Sequence, residues 1–341
     1  MVLLSTTLAL DVLQSFLYAL IGPFGAYANP FGFSTFDLYL MSLFFIMFCP
    51  MSVIPLLFLG VRAPYGKFAL TNAKDENKGL EGSSFNRAAM NFYSKFDLVV
   101  TNGKLAFAFQ ETFSLVLFFY AFYAYAPSID VLMNSGSMVT IQQVIASLMF
   151  VLHYIHRAFI FTLVRTHSMS PSSLSIVMMA ASFCAANGYL NSKGIWVYHD
   201  GTQTSNSDFS LMQFVVMALG VVFYVVGFYI NYQSDEILIR LRTQNDHPVD
   251  IGATTTCGSK KKYFIPYGGL YSLVSSPNYF GEFIEWFGYF MFIQNRFAFL
   301  FVILTLSNLL PRAMQTHNWY LEKFGLEYRK LNRKAFIPYL L

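Results

Sequence analysis

The apolar residues of this chain neither alternate with polar ones at the period of a strand nor form the one-sided stripe of a soluble amphipathic helix. They come in long, nearly unbroken runs separated by polar stretches. A helix needs about 20 apolar residues to cross the hydrocarbon core of a bilayer. Runs of that kind lie near 6–26, 38–60, 105–126, 142–165, 172–197, 211–232 and 283–310. The last is long and is interrupted by Gln294, Asn295 and Arg296, which predicts two short spans forming a hairpin, with Phe297 to Leu306 in the second arm. The pattern therefore predicts an all-α fold, a polytopic membrane bundle of about seven helices. The first run, Met1 to Ala26, lacks a basic n-region, carries Asp11 in its middle and has no clear cleavage site, so it does not read as a removable signal peptide. It leaves two options, an extra span or an interfacial helix. No internal period suggests a solenoid or an inverted repeat.

Composition points the same way. Only 12% of the 341 residues are charged, against roughly a quarter in a typical soluble domain, and so few charges could not cover a water-soluble surface. An ordinary cytosolic enzyme, a disordered chain and a nucleic-acid binder are excluded. The net charge of +4 matters less than its placement. Arg62, Lys67, Lys74, Lys78, Arg87, Lys95 and Lys104 fall in one stretch, Arg240, Arg242 and Lys260 to Lys262 in a second, and Arg312, Lys323, Arg329, Lys330, Arg333 and Lys334 in the tail. Loops 127–140 and 199–209 hold no Lys or Arg. Under alternating topology the three basic stretches share one side, and the positive-inside rule makes that side, with the C-terminus, cytosolic. Cys49, Cys184 and Cys257 are far apart and show neither disulfide pairing nor zinc spacing.

Ionisable groups at membrane depth are costly and are functional candidates by default. Gln110 and Glu111 lie about two turns inside the third run. Glu111 is either a structural carboxyl bonded to a neighbouring helix or one kept neutral by its apolar surroundings, able to donate a hydrogen bond. The next run contains His153, Tyr154, His156 and Arg157, and an Arg at that depth needs an anion, carboxylate or phosphate. Six scattered histidines fall short of a di-iron histidine cluster, so no metal is expected. Asn231, Asp235 and Arg242 share one helical stripe, and Asn278, Glu282 and Glu285 form a second one after Pro277. That second set either caps and solvates a helix start or belongs to a site. No GxGxxG or P-loop occurs, so a nucleotide would bind without either frame.

These residues carry a resemblance. The segment Gly268-Gly-Leu-Tyr-Ser-Leu-Val-Ser-Ser-Pro-Asn278-Tyr-Phe-Gly-Glu282-Phe-Ile-Glu285-Trp286 resembles the signature of the steroid 5α-reductases. His317-Asn-Trp319-Tyr320-Leu-Glu-Lys-Phe324 and Arg333-Lys-Ala-Phe-Ile-Pro338 are similar to that family's ending. Tyr65-Gly66-Lys67, Gln110-Glu111, His153-Tyr154-Ile-His-Arg157, Phe183-Cys-Ala-Ala-Asn187-Gly188 and Asn231-Tyr-Gln-Ser-Asp235 follow in the family's order. The resemblance runs from about residue 61 to the end and implies a domain over 36–341, with 1–35 unmatched. It implies a seven-span reductase of the endoplasmic reticulum membrane that uses NADPH to reduce the Δ4 bond of 3-oxo steroids entering from the lipid. Carried over, Glu111 and Tyr154, with Gln110 beside them, resemble the group that binds the C3 carbonyl. Tyr65, Gly66, Lys67, Arg157, Asn231, Asp235, Arg242, Asn278, Glu282 and Arg333 resemble cofactor contacts, with Lys67, Arg157 and Arg242 offering charge for the phosphates.

The chain departs from the family at Phe113, at Arg165-Thr-His-Ser, at Tyr328-Arg329 and in an apparent insertion over 244–262. Alternatives are a trans-2-enoyl-CoA reductase, a polyprenol reductase, an isoprenylcysteine-type methyltransferase, and a transporter or lipid-binding protein. Glu285-Trp286 and the Gln110-Glu111 pair favour the steroid branch over the enoyl-CoA one.

Overall fold

The structure is a computed structural model that describes residues 98–126, 138–198, 211–246 and 263–341, together with Asp37 and Leu40. The runs expected at 6–26 and, apart from Leu40, at 38–60 lie outside the described residues, as does segment 1–35. A short strand β1 (Val99–Val100) precedes α1 (Gly103–Tyr125). Helix α2 (Met138–Ile155) continues as a π-helical stretch over His156–Arg165. Strand β2 (Ser172–Ser173) leads into α3 (Leu174–Trp196), followed by α4 (Leu211–Asp246) and a 3-10 turn at Gly269–Ser272. Helices α5 (Pro277–Ile293), α6 (Arg296–Phe324) and the single turn α7 (Leu326–Arg329) complete the chain. Val99 pairs with Ser173 and Val100 with Ser172, antiparallel. Among the described residues five helices are long and apolar enough to cross a membrane: Gly103–Tyr125, Ile141–Arg165, Leu174–Trp196, Leu211–Thr243 and Arg296–Phe324. The fold is all-α and polytopic.

Local chemistry explains the boundaries. Asn102 caps α1 by accepting from the Leu105 amide at 3.1 Å, and Asn295 caps α6 by accepting from Ala298 at 2.8 Å. Gln294 turns left-handed with φ 54° and closes α5. The polar interruption thus breaks the last apolar run into two arms, as its sequence suggests, but the arms are unequal. Pro277 starts α5 ahead of that run, since a proline at the first helical position sacrifices only an amide that lacks a helical acceptor. Helix α6 carries on past Pro311 to Phe324. Helix α4 outlasts its apolar run too, because its polar extension is internally supported: Arg240 Nε donates to Glu236 Oε1 one turn back at 3.0 Å.

Two helix pairs organise the bundle. Helices α4 and α5 run antiparallel and touch backbone to backbone. A Cβ on Gly227 would stand 2.2 Å from the Glu285 amide nitrogen, and one on Gly288 2.3 Å from that of Tyr224. Helices α1 and α3 run parallel, pressed together where a Cβ on Gly188 would stand 2.1 Å from the Ser114 carbonyl oxygen. Helix α2 packs between the pairs around an aromatic centre. Phe150 stacks on Phe118 with ring centroids 4.8 Å apart, and Trp286 meets Phe301 at 4.4 Å. Outward, α4 presents Leu211, Met212, Phe214, Val222, Val225 and Tyr229, an apolar face of the kind lipid accommodates. Contacts sort the helix ends: Lys104 reaches Leu163, and Arg165 reaches Glu236, at one end. Gln142 reaches Phe292, and Gln143 reaches Ile195, at the other.

Candidate active site

Three helices build a first wall of neutral or single-carboxyl groups. Gln110 Nε2 donates to Glu111 Oε1 at 3.4 Å, and the thiol of Cys184 on α3 approaches Glu111 Oε2 at 3.9 Å. Tyr154 of α2 is buried, and its hydroxyl accepts a 2.8 Å hydrogen bond from Asn187 Nδ2 on α3. Asn187 is bonded in turn to Asn191 one turn along. Glu111 lies within electrostatic reach of Tyr154, and also of Arg157 and His153. The close approach of α1 and α3 at Gly188 is what sets Cys184 and Asn187 beside these side chains.

The opposite wall is ionic. Arg157 Nη1 lies 3.5 Å from Asp235 Oδ2 on α4, and Nη2 lies 3.6 Å from Glu282 Oε2 on α5. Phe107 and Phe161 cover the guanidinium, their ring centroids 5.3 and 5.2 Å from its carbon. Both Arg157–carboxylate distances exceed the 2.7–2.9 Å or so of a charge-assisted hydrogen bond, and both carboxylate oxygens are buried without a hydrogen-bond partner. Asn278 ties the carboxylate wall together: its carbonyl accepts from Asn231 Nδ2 at 2.9 Å, and its Nδ2 donates to Asp235 Oδ1 at 3.2 Å. The π-helical register begins at this point of α2, where Thr162 Oγ1 reaches back five residues to the Arg157 carbonyl at 2.7 Å. Such wide turns commonly re-aim a side chain at functional sites. Next to Arg157, His153 Nδ1 meets Glu285 Oε1 at 2.7 Å, both groups buried, with Trp286 packed 4.4 Å from the imidazole.

A third cluster closes the end of the bundle beyond the ionic wall. Arg333 is buried, donates to the Pro266 carbonyl at 2.8 Å and lies over Tyr267 and Tyr328. Ser275 Oγ bonds both His317 Nδ1 and Tyr328 OH at 2.6 Å, joining the turn before α5 to α6 and α7. Burial pushes the phenols of Tyr271 and Tyr328 above their usual range, so both stay un-ionised hydroxyls. Arg242 is exposed and within electrostatic reach of Asp235, Tyr271 and Tyr320.

The structure therefore gathers Gln110, Glu111, Tyr154, Arg157, Asn231, Asp235, Asn278 and Glu282 into one cluster between the helices, with Arg242 and Arg333 at one end of it. Tyr65, Gly66 and Lys67 lie outside the described residues. The carboxylates after Pro277 do not cap a helix start: Ser276 is the residue preceding α5, and Glu285 is completely buried. The anion that Arg157 needs is supplied by Asp235 and Glu282. Sequence reasoning missed the pairing of His153 with Glu285, which joins positions 132 apart in the chain. It also left Asn187 without a role and passed over Asn191, although their spacing of four on an apolar helix is a signal.

A polytopic bundle with polar and charged side chains clustered between its helices suits a membrane-embedded enzyme. Residues 170–341 match the 3-oxo-5-alpha-steroid 4-dehydrogenase family, and the chain belongs to that family of oxidoreductases. It is 36% identical over 196 residues to a steroid 5-alpha-reductase of Arabidopsis thaliana, covering 56% of this chain and 67% of that one. It is 36% identical over 202 residues to 3-oxo-5-alpha-steroid 4-dehydrogenase 1 of Mus musculus, covering 57% and 67%. An uncharacterised protein of Schizosaccharomyces pombe is 30% identical over 249 residues, 70% of this chain and 85% of its own.

Proposed function

We propose that this chain reduces the Δ4 double bond of 3-oxo-4-ene steroids or sterols with NADPH, with Glu111 and Tyr154 polarising the carbonyl. The observation that carries this reading is the buried Tyr154 hydroxyl beside Glu111, facing a wall of carboxylates and Arg157. Reduction of a conjugated enone places hydride on the β-carbon while negative charge develops on the carbonyl oxygen. Donors aimed at that oxygen from a water-poor cleft stabilise the charge most where it is greatest, in the transition state. Tyr154 and a neutral Glu111 are such donors, and Gln110 holds the Glu111 carboxyl from one side.

A bound reduced nicotinamide supplies the hydride. The residues fit such a cofactor: the buried acceptors Asp235 Oδ2 and Glu282 Oε2, lacking hydrogen bonds, suit ribose hydroxyls or a carboxamide NH2. Since Arg157 is already held by these carboxylates, it orients them, and phosphate charge falls to Arg242, Arg333 and Lys67. A steroid enters from the lipid. The three basic stretches argue for a cytosolic C-terminus, and the family resemblance for the endoplasmic reticulum membrane. The reductase domain is assigned to residues 36–341, with 1–35 unmatched by the resemblance.

The test is an assay of membranes containing the full chain with NADPH or NADH and a panel of 4-ene-3-one steroids and enoyl-CoAs. Reduction of the steroids, faster with NADPH at matched subsaturating concentrations, is expected. Turnover of enoyl-CoAs alone would move the chain to the elongation reductases. For orientation, a C-terminal tag should be accessible on intact microsomes and a glycosylation acceptor in loop 199–209 should be modified; modification near Lys260 to Lys262 would invert the topology.

A further inference from the structure

We propose that Asn191 and Asn187 are positioning residues forming a one-way hydrogen-bond relay that forces the Tyr154 hydroxyl to act as a donor toward the substrate carbonyl. The inference rests on the reading of Tyr154 as a carbonyl-binding group and adds what gives that hydroxyl its polarity.

The chain of constraints starts from an atom whose role is fixed. The backbone carbonyl of Asn187 can only accept, and Asn191 approaches it at 3.0 Å. The atom of Asn191 facing it must therefore be Nδ2. Turning that amide over would set two acceptors face to face, so the orientation stands even though it leaves Asn191 Oδ1 buried without a hydrogen-bond partner. The same Nδ2 lies 2.8 Å from the Asn187 side chain, which must present Oδ1 to it. Asn187 then has only its Nδ2 to offer on the other side, 2.8 Å from the Tyr154 oxygen. An amide NH2 donates and never accepts. The Tyr154 oxygen is thereby the acceptor of that bond, and its own proton must point elsewhere.

The surroundings limit where it goes. Ser114 also lies beside this hydroxyl, and because its Oγ donates to the Cys184 carbonyl at 3.1 Å it can only accept from Tyr154. The phenol proton thus has two destinations, Ser114 Oγ before substrate binds and the substrate carbonyl afterwards, and Tyr154 is the donor in both. All the relay residues are buried: Asn187 and Asn191 are each 1% exposed and Tyr154 is 3% exposed. Water is thus poorly placed to randomise the arrangement. A phenol that already accepts one hydrogen bond is also a better donor through the other, because hydrogen bonds in series polarise one another. As charge builds on the carbonyl oxygen, the Tyr154 proton is shared toward it while Asn187 stabilises electron density drawn onto the phenol oxygen. No bond in the relay has to reverse.

The experiment compares the purified, folded full-length protein with Asn187→Asp, Asn187→Leu, Tyr154→Phe and the double variant Asn187→Asp with Tyr154→Phe. Turnover of a 4-ene-3-one steroid, NADPH affinity and thermal stability are measured across pH. Asn187→Asp keeps the shape but, once ionised, replaces the donor with an acceptor that captures the phenol proton. Its turnover should fall roughly 100- to 1,000-fold, the loss typical of removing one oxyanion donor. NADPH affinity should be unchanged, and activity should recover toward low pH through a single titration absent from the wild type, as the acid regains a donating proton. In the Tyr154→Phe background the same change should cost nothing further. A packing role predicts the reverse ranking, with isosteric Asp milder than Leu and no new titration. An Asn187→Asp enzyme with the wild-type rate and pH profile, beside a crippled Tyr154→Phe, overturns the relay alone. Full turnover by Tyr154→Phe, or a wild type that reduces no enone, overturns the carbonyl reading and the relay with it.

Discussion

The α1–α3 pair and the α4–α5 pair are each locked by glycine contacts, yet they bring opposite chemistry to the candidate site. The first pair supplies Asn187 and Asn191, linked to the Tyr154 hydroxyl through 2.8 Å hydrogen bonds, with Gln110 and Cys184 more loosely placed about Glu111 at 3.4 and 3.9 Å. The second supplies Asp235, Asn278, Glu282 and Glu285, carboxylates held at longer range by Arg157 and closely by His153. Helix α2 serves both, sending Tyr154 to one wall and His153 and Arg157 to the other. Under the proposed reaction, the difference separates two tasks within one site. Directed hydrogen bonds give a geometry that can tell a carbonyl oxygen from its neighbours, whereas buried charges with spare acceptor capacity can hold a large polar ligand.

Breaking the scaffold of one wall should have the largest effect. Gly227→Val sets a branched side chain against the Glu285 backbone, where even a Cβ would stand at 2.2 Å. Neither helix can yield without unseating the ionic wall, and loss of monodisperse protein in detergent is the expected readout. On the first wall, Glu111→Leu should leave a folded protein that binds cofactor but has no measurable turnover, while Glu111→Gln should retain some, because an amide still donates. Smaller, and felt as stability, is His153→Leu. It strands the fully buried Glu285 and should cost on the order of 3–5 kcal/mol, read as a lower melting temperature. That loss should shrink when Glu285→Leu is added, since removing both partners leaves no unpaired group.

The two walls were unequally legible in the sequence. Long apolar runs and the Gln294-Asn295 interruption announced the helices. Glu111, Tyr154 and Arg157 inside those runs announced the site because polar groups at that depth are costly, and Asp235 stood out just past the end of one. What stayed hidden was partnership. The periodicity of α2 could show that His153 and Arg157 share a face, but Glu285, Asp235 and Glu282 reach them only because α4 and α5 approach to glycine distance, a tertiary fact with no local signature. The lengths of α4 and α5 were missed for a related reason. Hydropathy sees where lipid ends, whereas these helices persist past it on ion pairs and a proline start.

The division of labour across α2 is tested most directly by Tyr154→Phe and Arg157→Ala, measured side by side for NADPH affinity and for steroid turnover at saturating cofactor on purified, folded protein. The account predicts that Tyr154→Phe binds NADPH as the wild type does and turns over roughly 100- to 1,000-fold more slowly. Arg157→Ala should instead bind NADPH more weakly and recover much of its turnover once cofactor is saturating. Full turnover by Tyr154→Phe, or the same proportional loss of affinity and turnover in both variants, would contradict it.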